Sequence, residues 1–600
     1  MAFKVLLISA PWALFHRPSI QLATLRSYLL AKGGCAVTNQ HLYLHIARKI
    51  GIGLYSRIAR SGWAGDALFT PLLFPDKRRD GARLFDSELR GDGHGPVPDF
   101  DSVIDDVKTC CDAWLSSIDF ETISLAGFSV CFSQLPASLY LASRIKEKAA
   151  VATVFGGSSC SGSAGRSLVE QFRQIDYLID GEGERPLLEL CRCLGGRQEI
   201  LPKQIRTRHA AASETRSPDI GRLDDLPIPD FKPFLEEARH LFGSLPFMPI
   251  LPVEFSRGCR WNRCTFCNLN LQWHGYRHKS SKRMAAEVKE LSVRSESLNF
   301  AFTDNMLPHR ELDHFFEEAA DMKLDFSFFG EIRAGTDPGK LRRYRRGGLH
   351  SVQVGIEALS SSLLLRMRKG TTVMDNVAMM KHCCASDIIL QGNIITEFPS
   401  TTGDEIEETL LNLEFVLPYQ PLDSASFFLG YGSPVHCRPR EHGIRAVTAH
   451  PKNRMLFPKP YLKGLLIAGY RGDRQLQQRL WRPVRDKIQA WQDFHRTRSG
   501  KNTAALSYRD GGDYLFIQQE LPGKEPLIHR LRGTSRTIYL FCEEPKTVED
   551  ICRFLPSLDP QTLEQFIGQL CSKRLMFREQ DRVLSLAVHG GRPAPPQRLR

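Results

Sequence analysis

Ile250-Leu-Pro-Val-Glu-Phe-Ser-Arg-Gly-Cys259-Arg-Trp-Asn-Arg-Cys264-Thr-Phe-Cys267 is the stretch from which the rest of the 600-residue chain can be read. An extended apolar run leads into a short loop that carries three thiols. Cysteines spaced this closely on a loop hold a metal or a cluster. A four-iron cluster held by three thiolates keeps one iron without a protein ligand. Open metal positions do chemistry, whereas structural sites are closed. Two other readings stand beside this one. A structural zinc needs four ligands, and His274 or His278 could supply the fourth. Three unrelated core cysteines fit poorly in a loop rich in Arg, Asn and Trp.

The residues after Cys267 bear on the choice. Met284, Val288 and Leu291 recur at helical spacing over 281–296, a strand is expected over 299–303, and Leu312, Phe315, Phe316 and Ala319 mark the next helix. Strand 326–333 follows, then a basic helix from Pro338 to Arg346 closed by Gly347-Gly348. Strand 351–357, helices through Met367 and Met379, and strand 388–397 continue the series. This βα alternation indicates a parallel sheet or barrel. Asp304, Asn305, Glu331, Arg333 and Glu357 fall at strand C-terminal ends, the face that holds active sites in βα barrels. The cysteine loop follows the first strand of the series, so thiols and polar groups converge on one rim. A zinc ribbon needs no such barrel.

The N-terminal part is a second α/β unit. A buried strand is expected over 3–9 and a helix from Ser19 to Leu30, with Ile20, Leu22, Leu25 and Leu29 as its apolar stripe. A less regular insert follows at 61–98. Strands at 123–130, 151–155 and 177–180 then alternate with helices, which describes a doubly wound unit with its ligand crevice at the strand C-termini. Gly156-Gly-Ser-Ser-Cys160-Ser-Gly162 lets backbone approach a ligand closely, and its amides and hydroxyls suit a polar or phosphate group. At the other end a hairpin is expected about Asp510-Gly-Gly-Asp513, then a strand at Arg536–Phe541, helices 548–555 and 561–573, and a hairpin over 575–587. Helix, helix, hairpin is a winged-helix pattern. The expected organisation is an α/β unit at 1–222, a linker at 223–246, a barrel at 247–450, an extension at 451–530, a winged-helix-like domain at 531–589 and a disordered tail at 590–600.

These residues carry a family resemblance. The region from about Phe247 to Tyr431 resembles the core of radical S-adenosylmethionine (SAM) enzymes, a partial (βα)6 barrel with a 4Fe-4S cluster in its first loop. The resemblance implies that Cys259, Cys264 and Cys267 are the catalytic cluster ligands and that Phe266 packs near the adenine. It implies further SAM contacts from Asp304, Asn305, Glu331, Arg333, Glu357, Arg368 and Asn393. Two motifs depart from the family pattern. Four residues, rather than the usual three, separate the first two cysteines, and Glu397-Phe-Pro-Ser400-Thr stands where Gly-Phe-Pro-Gly-Glu is usual.

The α/β unit, with Gly181-Glu-Gly-Glu184 and the joint Leu223-Asp-Asp-Leu-Pro-Ile-Pro-Asp-Phe231, resembles the cobalamin-binding domain of cobalamin-dependent radical SAM enzymes. It implies cobalamin contacts from Pro11, Trp12, Ser129, Gly156, Gly157, Ser158, Ser159, Gly181, Glu182, Gly183 and Glu184. The Asp-x-His-x-x-Gly cobalamin motif is missing: Asp92-Gly-His94-Gly95 has Val97 at the glycine position, so His94 reads as a loop residue. Stretches 10–22, 264–270, 276–280 and 574–587 resemble the radical SAM proteins that mature ribosomally made peptides (RiPPs), a subfamily that includes peptide C-methyltransferases. The implied activity is cobalamin-dependent methylation of an unactivated carbon in a precursor peptide through a 5′-deoxyadenosyl radical. Radical cyclisation, cross-linking or rearrangement of a peptide without methyl transfer is the second reading. A zinc-bearing peptide scaffold is the third.

Composition sets outer limits. With 42% hydrophobic and 24% charged residues the chain is ordinary for a soluble protein, and no apolar run is long enough to cross a bilayer. The 16 cysteines include adjacent pairs, Cys110-Cys111 and Cys383-Cys384, and form no disulfide framework. The N-terminus does not read as a signal peptide, so a reducing cytoplasm is expected. The net charge of +13 suits solvated helix faces or an acidic partner, either a precursor leader or a flavodoxin- or ferredoxin-type electron donor. The second winged-domain helix has few basic residues, so nucleic acid is not expected.

Overall fold

The computed structural model describes residues 3–590, apart from Gly34, Asp92, His94, Glu199, Lys203, 209–218, His274, Ser499 and Asn502. The His94 loop, the His274 zinc alternative and the tail at 591–600 therefore lie outside the described residues.

Every residue of β1 (Lys4–Ser9) except Lys4 is buried, the pattern of a parallel strand covered on both faces. β1 pairs with β2 (Ala36–His41) and β3 (Leu125–Ser129), and the sheet continues through β4 (Ala152–Gly156), β5 (Tyr177–Ile179) and β6 (Ile205–Arg206). The order is 2-1-3-4-5-6, parallel except for the last pair. Strand order reverses between β1 and β3, and such a switch point opens a crevice at the strand C-termini.

The insert expected to be irregular at 61–98 is helical, with helices Ala64–Leu73 and Arg78–Gly91. Ala64 through Pro71 are all buried. A helix covered on every side has no amphipathic stripe to read.

The barrel begins at strand Leu251–Val253. Strands Asn299–Phe302, Ser327–Ile332, Leu349–Val354 and Ile389–Gln391 add in sequence order, all parallel. Strand Asn393–Thr396 then pairs in parallel with Asp423–Ser426. The expected strand 388–397 is thus broken at Gly392, where a Cβ would meet Val354 O at 2.8 Å. An isolated parallel bridge between Glu357 and Ile394 spans the break. The expected strand 351–357 ends at Val354, and Glu357 turns out at the rim with φ +61°. These strands form the partial (βα)6 barrel of an α/β multidomain chain.

One hydrophobic core joins the barrel residues Phe300, Phe302 and Phe328 to Trp481, Ile517, Ile538, Leu563 and Leu584. The strand expected at Arg536–Phe541 is instead part of helix Gly533–Phe541. Its β-branched and aromatic residues suggested a strand, but Ile538, Tyr539 and Cys542 turn together into the core. Strand Lys546–Thr547, helices Val548–Phe554 and Pro560–Ser572, and strands Met576–Glu579 and Arg582–Ser585 follow. The added helix gives the order helix, strand, helix, helix and a two-stranded wing. The wing docks on the barrel through Glu579, which accepts from Met374 N (2.6 Å), Val373 N (3.2 Å) and Ser361 Oγ (2.5 Å). The expected hairpin is strands Leu506–Asp510 and Tyr514–Gln519, flanked by Leu527–Arg532 and Val588–His589.

Asp66, on the buried insert helix, has a buried Oδ1 with no hydrogen-bond partner, and burial pushes its carboxyl up to about 7. A carboxyl raised in the folded state stabilises the fold while protonated, and that stabilisation fades as pH climbs from the ordinary carboxyl range to about 7. Asp66→Asn is expected to flatten this part of the stability–pH curve. Urea unfolding of both proteins between pH 5 and 8 checks it; identical slopes contradict the assignment.

Candidate active site

The first barrel strand delivers Glu254-Phe-Ser-Arg257 to the rim just before the thiols. Asp304, at the end of the next strand, fixes that segment: its carboxylate accepts from Phe255 N (3.1 Å), Ser256 Oγ (2.5 Å) and Ser256 N. Burial raises the Asp304 carboxyl to about 7 against the pull of these hydrogen bonds. Asp304, expected to meet SAM, is occupied in orienting the approach to Cys259.

Arg257 is 4% exposed. Its Nη2 donates to Glu184 Oε1 (2.6 Å), its Nε to Glu254 Oε1 (2.9 Å), and its Nη1 lies 3.0 Å from Glu182 Oε2. The guanidinium sits 5.4 Å from the Trp273 ring centroid. Burial alone would lower its pKa, but the surrounding carboxylates raise it well above the ordinary value. Burial likewise favours neutral Glu184, and Arg257 overrides it and lowers that pKa. Glu182 also accepts from Ile220 N (2.7 Å) and from Arg277 Nη2. The Gly181-Glu-Gly-Glu184 carboxylates, expected to contact cobalamin, join the α/β unit to the cysteine loop while also lining a cleft.

Beside this network lies a cleft that is partly open to solvent. Ser129, Gly156, Gly157, Ser158 and 181–184 line one side; Glu254, Ser256, Arg257, Thr303 and Asn305 line the other. It occupies the ends of β1, β3, β4 and β5, where the switch point places it. Gly157 has φ +100°, and a Cβ there would meet Val130 O at 2.8 Å, so glycine is required for this floor. Three expected contacts are not at the surface of the cleft. Pro11 and Trp12 are buried, with Trp12 packed against Tyr55 (5.1 Å) and Phe69 (6.3 Å) between ring centroids. Ser159 is buried and donates its backbone N–H to Val130 O (3.1 Å). Sequence reading missed Arg257 and Arg277, whose partners Glu182 and Glu184 lie far along the chain, and the lining residues Gln272 and Trp273.

Cys259, Cys264 and Cys267 are all half-buried. The loop is pinned by Thr265 N to Met367 O (2.9 Å) and by Trp261 Nε1 to Arg368 O (2.8 Å). Asn262, within the four-residue gap, has φ +43°. Burial raises the Cys267 thiol to about 11, and Cys264 and Cys259 act on it as like charges. Burial also raises Cys264, while Lys369 and Arg333 oppose. Lys369 Nζ donates to Glu357 Oε1 (2.9 Å). Burial lifts Glu331 to about 7. The three thiols share one loop, and Lys369 and Arg333 favour the thiolate form of Cys264 against burial. Among the described residues no group of three or more His, Cys, Asp or Glu is already gathered to hold a metal ion, and His278 Nδ1 is 2.9 Å from Lys279 O.

Of the remaining expected SAM residues, Phe266 packs half-buried on the barrel core. Arg333 donates to Lys369 O (2.9 Å) and Gly370 O (3.1 Å). Arg368 is exposed, and Asn393 is exposed on its strand.

Residues 253–413 match the Radical SAM superfamily. An uncharacterized methyltransferase of Pyrococcus horikoshii is 28% identical over 251 residues, 39% of this chain and 52% of that protein. The cobalamin-dependent SAM radical enzyme OxsB, solved with aqua-cobalamin and SAM, is similar at TM-score 0.56 and 15% identity, over 83% of this chain and 67% of its own. The radical SAM methyltransferase TsrM from Kitasatospora setae, solved with cobalamin and a [4Fe-4S] cluster, is similar at TM-score 0.54 and 14% identity, over 82% and 91%. The chain spans about half the length, or less, of the curated relatives it matches. It carries a radical SAM domain, which implies a 4Fe-4S cluster and SAM, in a fold similar to those two enzymes.

Removing Arg257 leaves buried carboxylates without their cation. Arg257→Ala is expected to cost about 3–5 kcal/mol, and Arg257→Lys less, since Lys keeps the charge but loses the fork. Denaturant unfolding of the apo-proteins measures both; an Arg257→Ala protein of unchanged stability contradicts the clamp.

Proposed function

We propose that this chain is a cobalamin-dependent radical SAM C-methyltransferase that acts on an unactivated carbon of a ribosomally made precursor peptide. The observation that carries this reading is the shared cleft: a glycine-floored crevice of a doubly wound unit opens onto Ser256, Arg257 and Asn305, beside the cysteine loop. When bound, the cofactors supply one-electron cleavage of SAM and a transferable methyl group. The chain holds and orients them. Cys259, Cys264 and Cys267 hold the cluster, and Asp304 and Arg257 fix the approach to it. Lys369 and Arg333 place positive charge beside the thiols. Gly156 and Gly157 give the cleft a floor without side chains.

Similarity to the Pyrococcus methyltransferase, OxsB and TsrM supports methyl transfer and cobalamin. A peptide substrate is supported by the motif resemblance. An acidic electron donor is the proposed partner, and a reducing cytoplasm the proposed location. No helix among the described residues is long and apolar enough to cross a membrane.

Each methylation consumes SAM twice, once for the methyl group and once for hydrogen abstraction. Anaerobic, reduced enzyme given its precursor peptide is expected to release S-adenosylhomocysteine and 5′-deoxyadenosine in equal amounts. Cys264→Ala is expected to stop release of 5′-deoxyadenosine. Wild-type release of 5′-deoxyadenosine alone points to radical chemistry without methyl transfer, and release of neither contradicts the enzyme reading.

A further inference from the structure

Residues 366–370 lie against the cysteine loop. Thr265 N donates to Met367 O (2.9 Å), and Trp261 Nε1 donates to Arg368 O (2.8 Å). Arg368 sits at φ +51° with its side chain exposed, whereas the Lys369 side chain is 14% exposed. Lys369 Nζ donates to Glu357 Oε1 (2.9 Å), and the Glu357 side chain is 15% exposed. Gly355 leaves the space this pair fills: a Cβ there would overlap Lys369 Nζ and lie 2.7 Å from Glu357 Oε1. The segment does not depend on this pair for its attachment. Arg366 already fastens it to the barrel through Glu405 (2.8 Å), Pro399 O (2.7 Å) and Ser400 O (2.8 Å).

Seen from the thiols, the pair is not neutral. Burial raises Cys264; of the charges nearby, Lys369 opposes this most strongly, and Glu357 acts the other way with less effect. Burial works to lower Lys369, but Glu357 and Cys264 override it and raise its pKa. The ammonium end of the pair therefore faces the cysteine loop, with the carboxylate behind it. Charges held away from water act on a neighbouring centre far more strongly than charges in bulk water do. Cluster potentials respond to local charge and solvent exposure. One-electron reduction makes a cluster more negative, which a nearby cation favours and a nearby anion opposes.

We propose that Lys369 raises the reduction potential of the cluster held by Cys259, Cys264 and Cys267, while Glu357 holds its ammonium in place and offsets part of the effect. In this step one electron enters the cluster from a low-potential donor, and no bond or proton is exchanged. Lys369 acts through the cluster and not on the substrate, as a positioning residue. The proposal rests on the radical SAM reading above.

The test uses full-length protein loaded with its cluster under anaerobic conditions, without SAM. Electron paramagnetic resonance follows a redox titration with dithionite as reductant. Lys369→Met is expected to lower the midpoint by about 59 mV, a tenfold change in the one-electron equilibrium. Lys369→Arg is expected to keep most of the wild-type value, because the charge remains. Glu357→Gln is expected to raise the midpoint. Iron content is expected to match wild type in all three. Local damage to the loop has no reason to move Lys369→Met and Glu357→Gln in opposite directions. A Lys369→Met midpoint at or above wild type, or a Glu357→Gln midpoint at or below it, overturns the proposal. If Lys369→Met holds no iron, Glu357→Gln decides alone, and a midpoint that is not raised overturns the proposal. Wild-type protein that takes up no iron removes the radical SAM reading and the proposal together.

Discussion

A single buried guanidinium sets the relation between the two halves of this protein. Arg257 belongs to the segment that becomes the cysteine loop, yet two of its three carboxylate partners, Glu182 and Glu184, come from the α/β unit. A buried charge is tolerated only when its partners and hydrogen bonds are well placed, so the loop and the unit are held at one mutual orientation. Asp304 adds the second constraint by fixing the backbone of Phe255 and Ser256 from the adjacent strand. The first thiol follows two residues after Arg257, so the position of the metal ligands depends on both.

The same geometry explains why a cleft exists where it does. A sheet of order 2-1-3-4-5 opens at its switch point, and a barrel presents its loops at strand C-termini. The Arg257 contacts bring these two faces together, and the space left between them is lined by glycines on one side and polar strand-end residues on the other. The wing closes the assembly from outside: Glu579 caps the helix that starts at Val373, which places Gln580 beside the cysteine loop's outer groove.

Much of this was legible in the chain. Periodicity located the barrel strands and helices, because parallel strands and amphipathic helices leave distinct patterns. The thiols and the glycine floor were visible as motifs. Reading failed where tertiary context decides. Helix Ala64–Leu73 is buried on every side, and helix Gly533–Phe541 is built from residues that favour strands. Trp12 looked like a loop aromatic near a ligand and is core. Glu182 and Glu184 line the cleft as expected of ligand contacts, but nothing local names Arg257 and Arg277 as their partners. Charge pairing across about seventy or more positions has no short-range signal, and only the fold reveals it.

The central claim is that Cys259, Cys264 and Cys267 hold an iron–sulfur cluster beside a cobalamin cleft. Metal and cofactor analysis of anaerobically purified protein tests it most directly. The account predicts about four irons per chain together with bound cobalamin. One zinc and no iron, with no cobalamin retained, contradicts it.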